Sequence, residues 1–352
     1  MAVLHYRNYL HVLRRKIGRA PDLDEIASRT LVVSPAERGS REAAIYLPNQ
    51  LDRVREVQFE TTREYEMARI SAGSVEHAAT LAYLIENAHY VDGDLYARGM
   101  RHRQVIRPAS RAIWKRAVSI DECALPSTAI GDRYFAHHVI DDAATAMLAD
   151  TIAPTYFARG SSSDNWPHSK AYYELFGLDF PVLDAALIRR AWVFQDYGMT
   201  ANRRARITAL RERAMSSGTA PNGRRIFISR KATGQRRLLE NEAELTERLT
   251  REGFDVVDPA RLTVAEIVER MSGASLICSV EGSNIAHGVL TMANKGAILT
   301  LQPPYRFANL WKDYADALDM TYGFVVGEGG KTSFSIRPDD VVKTADMLSA
   351  HS

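Results

Sequence analysis

At 352 residues the chain exceeds one ordinary hydrophobic core and suits about two domains. Its 46% hydrophobic and 25% charged content is that of a globular protein, which excludes a disordered or fibrous one. A net charge of +2 gives no global field to drive it onto nucleic acid, and two cysteines, Cys123 and Cys278, cannot build a disulfide framework and suit a reducing cytosol.

Taken in chain order, the first signal is helical: Val3, Tyr6, Leu10, Leu13 and Ile17 recur at helical spacing. Arg7, Arg14, Arg15 and Lys16 interrupt that run, so it is no secretory leader, and no later run reaches the roughly 18 apolar residues of a membrane span. The expectation is a helix docked on its own domain in a cytoplasmic protein. The secondary expectation is contact with the inner membrane face through residues 1–19. Residues 41–47 and 105–107 read as strands, and residues 74–87 as a helix. Asp92-Gly93-Asp94 resembles the metal-binding acid pair of some sugar-nucleotide enzymes, but Asp-Gly between apolar runs reads as a hairpin turn. Residues 137–150 read as a helix and 181–194 as a strand. A strongly basic helical run at 203–213 then leads into the turn-forming linker 215–223, which places a domain boundary near 205–222.

The second half alternates strands and helices. Strands are predicted at 226–229, 254–257, 276–280, 297–301 and 321–326. Helices are predicted at 241–251, 263–271, 283–292, 305–318 and 339–348. Asn241 reads as an N-cap, and Thr263 with Glu266 reads as a capping box. Such alternation argues for a parallel, Rossmann-like sheet. The domain plan is 1–205, an α/β domain, then 206–335, a Rossmann-like domain, then a C-terminal helix over 336–352.

Two places could carry chemistry. Ligands of open parallel sheets sit beyond the carboxyl ends of the strands. At one such end stands Arg230, followed by Lys231 and, further on, Arg236 and Arg237; residues 222–239 hold six Lys/Arg and no acid. At another stands Glu281-Gly282-Ser283-Asn284, where amides at a helix start carry partial positive charge. Arginine's planar fork suits phosphate, against the plainer reading of a solvated basic loop. The second place is Tyr134-Phe135-Ala136-His137-His138-Val139-Ile140-Asp141-Asp142. On a helix His137 faces Asp141 and His138 faces Asp142. A carboxylate beside an imidazole orients it and raises its basicity, as a general base needs; the plainer reading is a capped helix start. Too few further His, Cys or Glu residues cluster there for a metal site.

These pieces, in order and spacing, resemble glycosyltransferase family 61, whose bacterial members are often labelled capsular polysaccharide biosynthesis proteins. The resemblance covers roughly 134–325 and is carried by Ile226-Phe-Ile-Ser-Arg230, Arg236-Arg237-Leu-Leu-Glu-Asn241-Glu242, Gly253-Phe254, Thr263-Val-Ala-Glu266 and Glu281-Gly-Ser283, with Tyr134-Phe-Ala-His137 upstream. It implies two Rossmann-like domains facing a cleft, the glycosyltransferase B fold. It also implies inverting, metal-independent transfer from a nucleotide sugar, commonly a UDP-sugar, to a glycan acceptor, with the nucleotide sugar as co-substrate and no resident cofactor. Carried over, Arg230 and Arg237 would hold the donor diphosphate, and Gly282 and Ser283 would supply helix-start amides. Asn284 and His287 complete the expected donor site. The chain departs from the family pattern at Glu281, where His is usual, at His287, where Asn is frequent, at Ile267 and at Thr300. The rival from another class is a non-catalytic nucleotide-sugar or glycan-binding protein on the same fold. Homo-oligomerisation is a further expectation, and nucleic-acid binding is not expected.

Overall fold

The computed structural model describes residues 2–4, 13, 18, 20–106, 114–158, 166–215, 221–230 and 237–351. The chain divides into two compact units, Met1–Glu37 with His77–Leu210 and Arg38–Glu76 with Arg211–Ser352. The sequence reading had not separated residues 38–76 from the rest of the first half.

The first unit is built on a six-stranded sheet of β1 (Arg29–Ser34), β2 (Thr80–Val91), β3 (Asp94–Ala97), β4 (Met100–Arg103), β5 (Val118–Leu125) and β6 (Ala185–Gln195), in the order β4-β3-β2-β6-β5, with β1 also paired to β2. Only β6 and β5 run parallel; the other pairs are antiparallel. This corrects the expectation of a Rossmann-like sheet in the first half. The reason is local. Asp92 and Gly93 both take positive φ, 49° and 82°, and close a two-residue hairpin in which Val91 faces Asp94, whereas a parallel pair needs a long crossover.

The helix expected at 74–87 is a strand from Thr80 onward. Both faces of β2 are covered, so its apolar residues do not alternate. Tyr83 and Ile85 join one cluster with Cys123 and Val193, while Ala82 packs in another with Leu148, Trp192 and Phe194. Leu148 belongs to α1 (Ala143–Asp150), which follows directly on a π-helical turn, His137–Asp142. Helices α2 (Ser169–Phe176) and α3 (Ala201–Ala214) come next. At the N-terminus Ala2–Leu4 pair as a short strand with Trp114–Arg116, so the expected helix does not include Val3. Most of 5–19 lies outside the described residues.

The second unit carries a fully parallel sheet of β7 (Arg225–Ile228), β8 (Phe254–Val257), β9 (Leu276–Val280), β10 (Ala297–Gln302) and β11 (Thr321–Val326), in the order β8-β7-β9-β10-β11. Between and after the strands run α4 (Glu242–Arg251), α5 (Val264–Met271), α6 (Ile285–Thr291), α7 (Leu310–Ala317) and α8 (Pro338–Ser349). One face of the sheet, with Phe227, Leu276, Leu299 and Val325, packs on Leu245 and Leu249 of α4 and on Val341 and Leu348 of α8.

The capping box at α5 forms as expected: Thr263 Oγ1 accepts from the Glu266 amide and Glu266 Oε2 from the Thr263 amide. Asn241 does not cap α4 with its side chain; it clamps Ile336 through both of that residue's backbone groups. Residues 38–76 reach the β11 edge, where Ile45 exchanges backbone hydrogen bonds with Tyr322 and Phe324. That pairing covers backbone groups a bare sheet edge would expose.

Candidate functional site

The strand order of the second unit sets the site. Numbered within the unit, the order is 2-1-3-4-5: from β7 the chain moves to one side for β8 and to the other for β9. The carboxyl ends of β7 and β9 therefore form the topological switch point, where doubly wound sheets leave a crevice for a ligand. Arg230 lies two residues past the end of β7, and Glu281 directly follows β9.

Three arginines converge there. Arg230 Nη1 donates to the Glu281 carbonyl oxygen at 3.0 Å, and Arg237 Nη1 donates to the same carbonyl. Arg237 also meets the Glu281 carboxylate at 2.5 Å, and Arg306 pairs with that carboxylate oxygen. Arg230, Arg237 and Glu281 are each 6% exposed. Burial pushes the Arg230 guanidinium down from its ordinary value, and Glu281 pulls it back up. Glu242 at the start of α4 receives the Arg230 amide at 3.1 Å and the Ser229 hydroxyl at 2.6 Å, which fixes the turn out of β7. Gly282 is required here. Its φ is +145°, and a Cβ at this position would stand 1.9 Å from Arg230 Nη1.

Beyond Gly282 the chain makes tight turns, with amides of Ile285, Ala286 and His287 bonded three residues back to Gly282, Ser283 and Asn284. The helix begins at Ile285 rather than at Ser283 and is seven residues long, so its dipole is small. Ser283 and Asn284 are half-buried, whereas His287 is 2% exposed inside the first turn of α6. Thr300 lies within β10, which runs on to Gln302. Residues 231–236 of the basic loop lie outside the described residues. Sequence reasoning missed Arg306 and Glu242. Glu242 had a signal in its position at a helix start facing a strand end; Arg306 had none beyond following Pro303-Pro304 after a strand.

The other expected group lies in the first unit. On the π-helical turn His137 Nδ1 meets Asp141 Oδ2 at 2.5 Å, and Asp141 Oδ1 takes Arg203 Nη2 from α3 at 2.6 Å. The His137 side chain keeps 16% exposure, enough to meet a ligand, while Arg203 is nearly buried at 4%. An imidazole oriented by a carboxylate that is itself held by an arginine is a fixed proton acceptor. π-helical turns occur disproportionately at functional sites. Among the described residues no three His, Cys, Asp or Glu side chains gather as a metal-binding group, and no helix is long and apolar enough to cross a membrane.

Set against known proteins, residues 3–299 match the family model of Glycosyltransferase 61. The comparison with curated proteins returns no match. Among solved structures, the metal-soaked Flv1 flavodiiron core from Synechocystis sp. PCC6803 aligns at 12% identity and a TM-score of 0.25, over 77% of this chain and 65% of that one. The chain thus spans under two thirds of that protein's length, and so weak a likeness carries no argument about fold or function.

Proposed function

The chain belongs to glycosyltransferase family 61, and on that premise we propose that it moves a sugar from a nucleotide-sugar donor, a UDP-sugar first among them, to a glycan acceptor, with inversion and without a metal. A division of labour between the two units is part of this proposal: the second unit holds the donor, and the first unit holds the acceptor and the base. The acceptor hydroxyl attacks the anomeric carbon as the bond to the diphosphate breaks. His137, oriented by Asp141, takes the hydroxyl proton. Arg230 and Arg237, with the Gly282 and Ser283 amides and now Arg306, stabilise the negative charge that develops on the leaving diphosphate. Asn284 and His287 remain part of the proposed donor site, His287 as a buried support.

The observation that carries this reading is the convergence of Arg230, Arg237 and Arg306 on Glu281 at the switch point. Cationic forks aimed at one place beyond two strand ends suit an anion. In the absence of donor, the Glu281 carboxylate serves as their counter-ion and keeps them oriented. Donor binding then exchanges one anion for another, and Glu281 is freed to accept hydrogen bonds from ribose or sugar hydroxyls.

The test is turnover of a panel of UDP-, GDP- and CMP-sugars, read as transfer or as slow donor hydrolysis. Arg230→Ala should cost about 2.7–4 kcal/mol of transition-state stabilisation, roughly 10²–10³-fold in rate, with the protein still folded. Turnover that survives this change would remove the diphosphate assignment. The same Glu281 contacts favour one second reading, a non-catalytic nucleotide-sugar binder, because an internal carboxylate competes with the donor phosphates. Binding of a nucleotide sugar with neither transfer nor hydrolysis would decide for it.

A further inference from the structure

The first unit holds a cavity of about 550 Å³ beside His138, the neighbour of the proposed base, within the range of roughly 300–1,000 Å³ usual for small-molecule sites. Its walls are rings: Phe157 stands edge-on to Tyr173 at 5.1 Å and 5.7 Å from Phe180, and His138 lies against Tyr173 at 4.8 Å. Lys170, Glu174 and Asp179 add both signs of charge to the lining. At Gly177, which ends α2 with φ +65°, nothing stands within 4 Å of a would-be Cβ, so the lining stays open there. His138 is 3% exposed. Its Nδ1 is turned to Asp142 Oδ2 at 3.7 Å, and the Thr128 hydroxyl donates to the other carboxylate oxygen, Oδ1, at 2.7 Å.

We infer that this cavity is a subsite for one neutral sugar ring of the acceptor glycan. The inference rests on the proposed glycosyl transfer and deepens it. A neutral sugar has one apolar C–H face and a belt of hydroxyls that both donate and accept. The aromatic walls suit the face. Glu174 and Asp179 accept from hydroxyls, and Lys170 donates to them. Lys170 and Glu174, an exposed pair at 3.8 Å, and the exposed Asp179 stand at the rim, where hydroxyls that both donate and accept suit both signs of charge. His138 directly follows His137 on the π-helical turn, so a wall of the cavity and the proposed base belong to one element.

The test is saturation-transfer NMR on the full chain with xylose, glucose, galactose, cellobiose and lactose as probes, and octanoate as the apolar rival. At least one sugar should bind. Its affinity should fall at least tenfold in Phe180→Ala, which removes a wall, and in Val182→Trp, which fills the mouth from a residue that is 56% exposed and therefore safe to enlarge. The inference is overturned if no sugar binds, if sugar binding survives both substitutions, or if octanoate alone occupies the cavity. A parallel thermal-shift measurement with UDP, GDP and CMP keeps the two readings apart. A nucleotide shift with no sugar bound removes the acceptor subsite alone, and loss of both removes the donor reading as well.

Discussion

Glu281 is the residue whose surroundings most change its meaning. A carboxylate beside a diphosphate site reads, in sequence, as a group that repels the ligand or contacts hydroxyls. In the structure it is gripped by Arg237 and Arg306, while its carbonyl takes Arg230. If that carboxylate competes with donor phosphates, Glu281→Gln should tighten UDP binding by roughly 10- to 100-fold, since a hydrogen bond to a charged group contributes about 1.5–3 kcal/mol. Titration calorimetry on the two proteins measures it, and weaker binding by the variant would show that contacts of Glu281 with the ribose hydroxyls outweigh its competition with the phosphates. At His137 the proposal requires a different pattern. His137→Ala should lower kcat by about 10²–10⁴-fold while UDP affinity stays as it was, because donor and base are assigned to different units. Arg230, Arg237 and the His137–Asp141 pair were legible because strand ends and i, i+4 spacing are visible in one dimension. Arg306 and Arg203 were not, since nothing local ties Arg306 to Glu281 or Arg203 to Asp141; the fold brings each pair together.

At the scale of elements, a buried ion pair fastens α3 to the first unit. Asp196, just past β6, takes both Nη1 and Nη2 of Arg206 at 2.7 and 3.0 Å, and also the hydroxyls of Thr80 and Thr145. Burial alone would raise the Asp196 carboxyl, but Arg206 outweighs it and holds the group below the usual carboxylate value. A lowered folded value means that the stabilisation is present above the unfolded value of about 3.9 and is lost as pH falls through the lower folded one. Asp196→Asn should therefore cost about 3–5 kcal/mol near neutrality by leaving Arg206 buried without its partner. The difference in melting temperature should shrink only below about pH 4. Element reading from sequence was sound in the second unit, where caps, glycine stops and strand–helix alternation agree; β8, β9 and β11 fall on the predicted residues. It failed at β2, whose Ala- and Leu-containing run is covered on both faces and so lacks the alternation that marks a strand.

At the scale of the molecule, the second unit was readable because a parallel sheet writes its order in repeated strand–helix units, although only the structure revealed the 2-1-3-4-5 order that makes β7 and β9 neighbours. The first unit's mixed sheet joins β2 to β6, antiparallel, across almost a hundred residues, and no local pattern announces such a pairing. Each unit also buries one cysteine. Burial pushes Cys123 up to about 12 and raises Cys278 as well, so both thiols should be silent toward a thiol-reactive dye at pH 8 in the folded protein and react together once guanidinium unfolds it. The central claim is that the switch point of the second unit holds a nucleotide diphosphate. A thermal-shift screen of UDP, GDP, CMP and their sugars against the wild-type chain and Arg230→Ala tests it most directly. One nucleotide family should stabilise the wild type, by about 2.7 kcal/mol at one hundred times its Kd, and should lose that effect in Arg230→Ala. Stabilisation by none of them, or stabilisation that persists undiminished in Arg230→Ala, would contradict it.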